Sequence, residues 1–198
     1  WLADAKNYFS KRNCVAGQMA EGFIKGNPIR QDYLEKALGW IADRDGLESG
    51  GKYMAIHQHD MDANELWLYF QEVISWAKRM FPNMDKKLTE GQDWGILYNK
   101  YRNKAYNTNE MRTLIDKLLQ DEDVTKQAGI IPYVLSDRTK HDEKVLSIRA
   151  FTEQMKRRVY EKQTASAKQN GTSNCPFCAN QNITTIYAFD EMQGDHVI

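Results

Sequence analysis

The stretch Asp62-Ala63-Asn64-Glu65-Leu66-Trp67-Leu68-Tyr69-Phe70-Gln71-Glu72-Val73-Ile74-Ser75-Trp76-Ala77-Lys78-Arg79-Met80-Phe81-Pro82 decides the fold class. Leu66, Phe70, Val73, Ile74, Ala77 and Phe81 recur at the spacing of one face of an α-helix. Asp62 to Glu65 has the form of a capping box, an acceptor followed three residues later by Glu. Pro82 ends the helix, because proline has no N–H and clashes with the preceding turn.

The same grammar runs outward in both directions. Asn27-Pro28 reads as a cap with proline at the first helical position, opening a helix with Tyr33, Leu34, Ala37, Leu38 and Ile41 on one stripe and Gly46 at its end. Asn107 to Glu110 is a second box-like start, before Met111, Leu114, Ile115, Leu118 and Leu119. Residues 1–25 read as one amphipathic helix, 94–101 and 121–128 as short helices, the last closed by Gly129. Gly46 to Met61 is Gly-rich and polar and reads as a loop, and Ile130 to Leu135 as a short extended or core-crossing segment. A last helix is expected from Glu143 to Gln163, carrying Val145, Ile148, Phe151, Met155 and Val159. Thr164 to Asn174 reads as a polar linker, and 183–189 is β-prone. The expected organisation is a helical domain over 1–142 and a basic helix with a partial finger over 143–198.

Composition sets outer limits. Apolar residues make up 41% of the 198 and charged residues 27%, ordinary for a globular chain with a real core. Lys+Arg and Asp+Glu both number 27, so any argument for a nucleic-acid partner must be local. One exists: Lys140 to Lys168 holds eight basic residues against four acidic ones, with Lys156, Arg157, Arg158 and Lys162 leading toward the finger. No apolar run reaches the roughly 18–20 residues of a membrane helix. The chain opens at Trp1 inside a helix pattern, which reads as a cut, so the absence of a signal peptide carries little weight. Cys14, Cys175 and Cys178 make an odd count unlike a secreted disulfide framework, and a reducing cytoplasm is expected. Cys14 reads as a small, buried apolar residue.

Chemistry concentrates near the C-terminus. Cys175-Pro176-Phe177-Cys178 aims two sulfurs at one point, half of a tetrahedral zinc site. A redox Cys-x-x-Cys is the rival, but that chemistry is at home at a strand-to-helix junction of a βαβ unit, which this sequence lacks. His57-Gln58-His59-Asp60 could open a metal site, yet its place before a capping box favours a loop or cap role. Asp195-His196 alone is a surface Asp beside a His.

Together these segments resemble a known arrangement. Arg157-Arg158-Val159-Tyr160-Glu161-Lys162-Gln163, the Cys-Pro-Phe-Cys turn and Asp190-Glu191-Met192-Gln193-Gly194-Asp195-His196-Val197-Ile198 resemble the first half of the ββα-metal (treble-clef) finger of HNH nucleases. The phrases at 29–35, 57–67, 93–99, 121–126 and 146–151 are similar to bacterial proteins that join a ParB-like domain, a helical region and a C-terminal HNH domain. These are similar to GmrSD-type restriction enzymes. The resemblance implies a mainly α fold, a multi-helix array followed by the first half of that finger. It implies His196 as general base, Asp195 as ligand to a divalent ion such as Mg²⁺, and Cys175 and Cys178 as structural zinc ligands. It implies a DNA partner, cleavage of foreign or modified DNA, and allows a homo-oligomer. Ala179 stands where Gly commonly follows the knuckle. The family's ParB-like domain, second Cys-x-x-Cys and closing His are not in this sequence, so the chain is expected to be truncated at both ends and inactive alone. The competing expectation is a non-catalytic helical module that couples domains or binds partners and carries a degenerate zinc finger.

Overall fold

The computed structural model describes residues 1–149 and 152–192. The fold is mainly helical and divides into two compact units, Trp1–Ile148 and Arg149–Ile198.

The first unit is built around α5 (Asn64–Met80), which buries Leu66, Tyr69, Phe70, Val73, Ile74, Trp76 and Ala77. Against it pack α1 (Leu2–Phe9), α3 (Asp32–Arg44) and α7 (Trp94–Tyr101). The interface is aromatic: Phe9 meets Phe70 edge-on at 5.1 Å, Trp40 stacks on Phe70 at 6.1 Å, and Trp94 meets Phe81 at 5.5 Å. Such pairs add about 0.5–1.5 kcal/mol each beyond area burial. Trp94 is fully buried, and its Nε1 donates to the carbonyls of Phe23 (2.9 Å) and Thr89 (3.0 Å). Gly95 is required here, since a Cβ would lie 2.1 Å from Cγ of Trp40.

Several local expectations change. Residues 1–25 form α1 and the short α2 (Val15–Met19), because Cys14 caps a new helix: its sulfur accepts from the Gly17 N–H and donates to the Phe9 carbonyl, both at 3.3 Å. Asn27 caps a 3₁₀ turn over Pro28–Arg30 ahead of α3. The expected loop after Gly46 contains α4 (Gly50–His57), started by the Ser49 side chain accepting from the Lys52 N–H at 3.3 Å. Asp62 makes an Asx turn to the Asn64 N–H (3.0 Å), and Glu65 turns away to Arg44 (2.6 Å), so the expected capping box does not close.

α6 (Lys86–Thr89) leads to α7, and α8 (Thr108–Gln120) starts where Asn107 accepts from the N–H groups of Asn109 and Glu110. The expected helix over 121–128 is reduced to a 3₁₀ turn over Gln127–Gly129. The segment expected to be extended or core-crossing is helical, α9 (Ile130–Leu135), and lies in the core, with Ile130, Ile131, Tyr133, Val134 and Leu135 all buried. Burial on every side erases the periodicity that separates helix from strand.

In the second unit, the expected helix over 143–163 is split. A 3₁₀ turn spans Asp142–Leu146 in the first unit, and α10 (Glu153–Asn170) starts afresh at Thr152, whose hydroxyl accepts from the Met155 N–H at 3.2 Å. Phe151 lies outside the described residues. α10 continues through the expected linker to Gly171, a left-handed cap with φ +67. After it come α11 (Pro176–Asn180) and a 3₁₀ turn over Phe189–Glu191. The described residues contain no strand, so the ββα part of the expected fold is not seen; the β-prone segment 183–189 is held by side chains instead. No described helix is long and apolar enough to cross a membrane.

Candidate metal-binding thiol site

α10 is polar almost all round. One narrow stripe, Tyr160, Thr164 and Ala167, is covered, as the i, i+4, i+7 spacing of a single face allows. Beyond Gly171 the chain turns inward through Ser173 and Asn174, which are 5% and 3% exposed. Buried polar side chains must be hydrogen-bonded, and these are. The Ser173 hydroxyl donates to the Thr185 carbonyl (2.6 Å) and accepts from the Cys175 N–H (3.1 Å). The Asn174 amide nitrogen donates to the Thr164 hydroxyl and the Tyr187 carbonyl, and its oxygen accepts from the Tyr187 N–H, each at 2.9 Å. Asn174 therefore pairs with both backbone groups of Tyr187, as a neighbouring strand would. The Tyr160 hydroxyl adds a bond to the same Tyr187 carbonyl at 3.1 Å.

This clamp fixes the Cys-Pro-Phe-Cys turn. Cys175 occupies the N-cap of α11, Pro176 its first position, and Cys178 the third, one turn from Cys175. Tyr187, held by Asn174, places its hydroxyl 3.5 Å from the Cys178 sulfur. The Cys175 side chain makes no cap hydrogen bond. Its thiol is nevertheless held below the usual range, first by the Cys178 N–H that faces it, with the Cys178 side chain and the Phe177 N–H assisting against desolvation. Contact with Cys178 raises the Tyr187 phenol.

The expected basic residues separate into distinct groups. Lys156 is engaged by Glu153 at 2.8 Å, and the Arg157 guanidinium lies 4.7 Å over the Phe189 ring, which Tyr160 meets edge-on at 5.5 Å. Arg158 and Lys162 are exposed, four residues apart on the side of α10 opposite the covered stripe. Asp195 and His196 lie outside the described residues. Ser173, Asn174 and Tyr187 are absent from the sequence-derived site. The signal for them was Ser-Asn immediately before a capping Cys, a spacing at which short polar side chains bond nearby backbone.

His57 ends α4, stacks on Tyr53 at 4.1 Å and meets Asp60 at 2.6 Å through Nδ1, an arrangement that finishes a helix. Among the described residues no group of three or more His, Cys, Asp and Glu is placed to hold a metal. A structural zinc site takes four ligands. Cys175 and Cys178 fit half of one: sulfur donors from a single turn, facing amide N–H groups of the kind that suit a thiolate. No family model matches the chain, and neither a curated protein nor a solved structure matches it.

Proposed function

We propose that the chain belongs to a metal-dependent DNA endonuclease of the HNH kind, acting in the cytoplasm in restriction of foreign or modified DNA. The observation that carries the reading is the construction of the second unit. Its buried side chains among the described residues are Thr164, Ser173, Asn174 and Ala167, so apolar burial is very small. Units of this size with so little core are ordinarily stapled by metal or disulfide. The thiol pair lies beside the polar clamp, where a structural zinc would supply the missing stabilisation.

On this reading Cys175 and Cys178 hold zinc and take no part in chemistry. His196 accepts the proton of the attacking water, a role that suits a neutral imidazole near pH 7. Asp195 holds a divalent ion, Mg²⁺ by preference, which stabilises charge on the phosphate and the leaving oxygen when bound. Arg158 and Lys162, exposed on the outer side of α10, contact DNA phosphates, with Lys156 and Arg157 supporting them.

The test is made on the full gene product that contains these residues. One zinc per chain and Mg²⁺-dependent plasmid nicking are expected, with nicking lowered about 10²–10⁴-fold in His196→Ala. A zinc-free product, or undiminished nicking in the variant, overturns the reading.

A second reading is favoured by one observation in the first unit. Its polar side chains are joined in structural contacts: Asn99 bonds the Trp40 carbonyl (3.0 Å) and Asp43 (2.8 Å), Tyr69 bonds the same carbonyl (3.1 Å), and Arg44 joins Asp45 and Glu65. Such a unit suits a non-catalytic module for domain coupling or partner binding, including self-association. A zinc-free gene product with the helical unit still folded selects this reading.

A further inference from the structure

Cys14 and Cys175 occupy the same structural position and differ in what surrounds them. Each is the N-cap of a five-residue helix. Cys14 is 3% exposed, donates to the Phe9 carbonyl, accepts from the Gly17 N–H and has glycine three residues on. Cys175 is half-exposed, makes no cap hydrogen bond and has a second thiol three residues on. Cys178 is also half-exposed, and its sulfur is in contact with the Tyr187 hydroxyl at 3.5 Å.

Residues three apart on a helix stand about 5–6 Å apart at Cβ. A disulfide needs about 3.8 Å, a gap that adjustment at the non-helical cap residue closes. The surrounding unit has little apolar core to resist that adjustment, and the Asn174 clamp fixes the chain just before the pair.

We propose that Cys175 and Cys178 form a reversible dithiol–disulfide couple, closed by small-molecule disulfides such as oxidised glutathione and reopened by dithiols. The proposal shares its sulfurs with the zinc reading, since only the reduced pair can bind metal, and it does not depend on nuclease activity. The Cys175 thiolate attacks one sulfur of the small disulfide, whose S–S bond breaks. A mixed disulfide forms on Cys175 and one small thiolate leaves. The Cys178 thiolate then attacks the Cys175 sulfur and expels the second small thiolate. Two electrons pass to the small disulfide, and the two thiol protons pass through solvent to the departing thiolates. Cys175 attacks first because it stands at the non-helical cap position, whereas Cys178 lies inside α11 against the Tyr187 hydroxyl.

The test equilibrates this chain with glutathione at graded ratios of oxidised to reduced form, then alkylates and maps peptides by mass. Expected is loss of two of the three free thiols, a single Cys175–Cys178 linkage, full reversal by dithiothreitol, and Cys14 protected until the chain is unfolded. Cys178→Ser should stop at glutathione on Cys175, and Cys175→Ser should leave Cys178 largely free. Two reduced thiols across the whole range, a linkage to Cys14, or trapping on Cys178 in Cys175→Ser overturns the proposal. Zinc uptake by the reduced full gene product, followed separately with a chromogenic chelator, distinguishes the two readings. Uptake without any disulfide sinks the redox couple alone, and a disulfide without uptake sinks zinc alone.

Discussion

In Trp1–Ile148 the large fully buried side chains include Trp94, Tyr53, Phe9 and Phe70, whereas in Arg149–Ile198 the buried side chains among the described residues are Thr164, Ser173, Asn174 and Ala167. The first unit is stabilised by area: dozens of dispersion contacts per ring and roughly 25 cal/mol for each Å² of apolar surface removed from water. The second is stabilised by direction, through a few hydrogen bonds that converge on Tyr187. Area tolerates small rearrangements. Directed bonds do not, because one lost partner leaves a buried polar group unsatisfied.

Trp94→Ala removes a fully buried ring and both bonds of its Nε1; it should cost about 3–5 kcal/mol, read by urea denaturation. A loss under about 1 kcal/mol would mean that the aromatic core does not carry the unit. Every tryptophan lies in the first unit, so selectively excited tryptophan fluorescence reports that unit alone.

Asn174→Ala comes next, at about 2 kcal/mol, since the Tyr187 N–H and the Thr164 hydroxyl lose their partner. Hydrogen exchange at the Tyr187 amide should accelerate, while exchange at Phe70 stays unchanged. Equal protection of Tyr187 in the variant would remove the clamp from the account. Gly171→Ala should cost about 1 kcal/mol, because φ +67 is strained for a residue with Cβ. That loss should appear as earlier fraying of α10. The smallest effects sharpen the picture of the basic helix. Arg157→Ala should cost about 0.5 kcal/mol through its lost ring contact with Phe189. Arg158→Ala, which removes an exposed side chain, should leave stability unchanged and, in the full gene product, lower the salt slope of DNA binding by about 0.9.

The sequence spoke clearly where periodicity was strong and a proline stop or an asparagine cap marked an end. Leu66 to Phe81 followed by Pro82, and Asn107 ahead of Met111, lead to α5 and α8 directly. It misled where one signal had two causes. Gly50-Gly51 resembles loop composition, but Gly50 is there because a Cβ would come within 2.7 Å of Leu38, so α4 can lie against α3 only with glycine at that point. Ile130 to Leu135 has β-branched and aromatic residues suited to a strand, yet forms a helix buried on all sides. α10 looked like linker beyond Gln163 because Thr164 and Ala167 are too small to register as a stripe. Of the candidate site, the thiol pair was legible from spacing alone. Asn174 was not, because its role depends on Tyr187, thirteen residues away in sequence.

The Trp94 indole has a consequence for the order in which the chain can assemble. Its bond to the Phe23 carbonyl joins residues 71 apart, while the bond to Thr89 spans 5. Closing a loop costs entropy that rises with its length, before the contact returns anything. Pairs of sequence neighbours such as α3 with α4 can dock early. Of the two bonds that hold the indole, the one to Phe23 therefore carries much the larger closure cost.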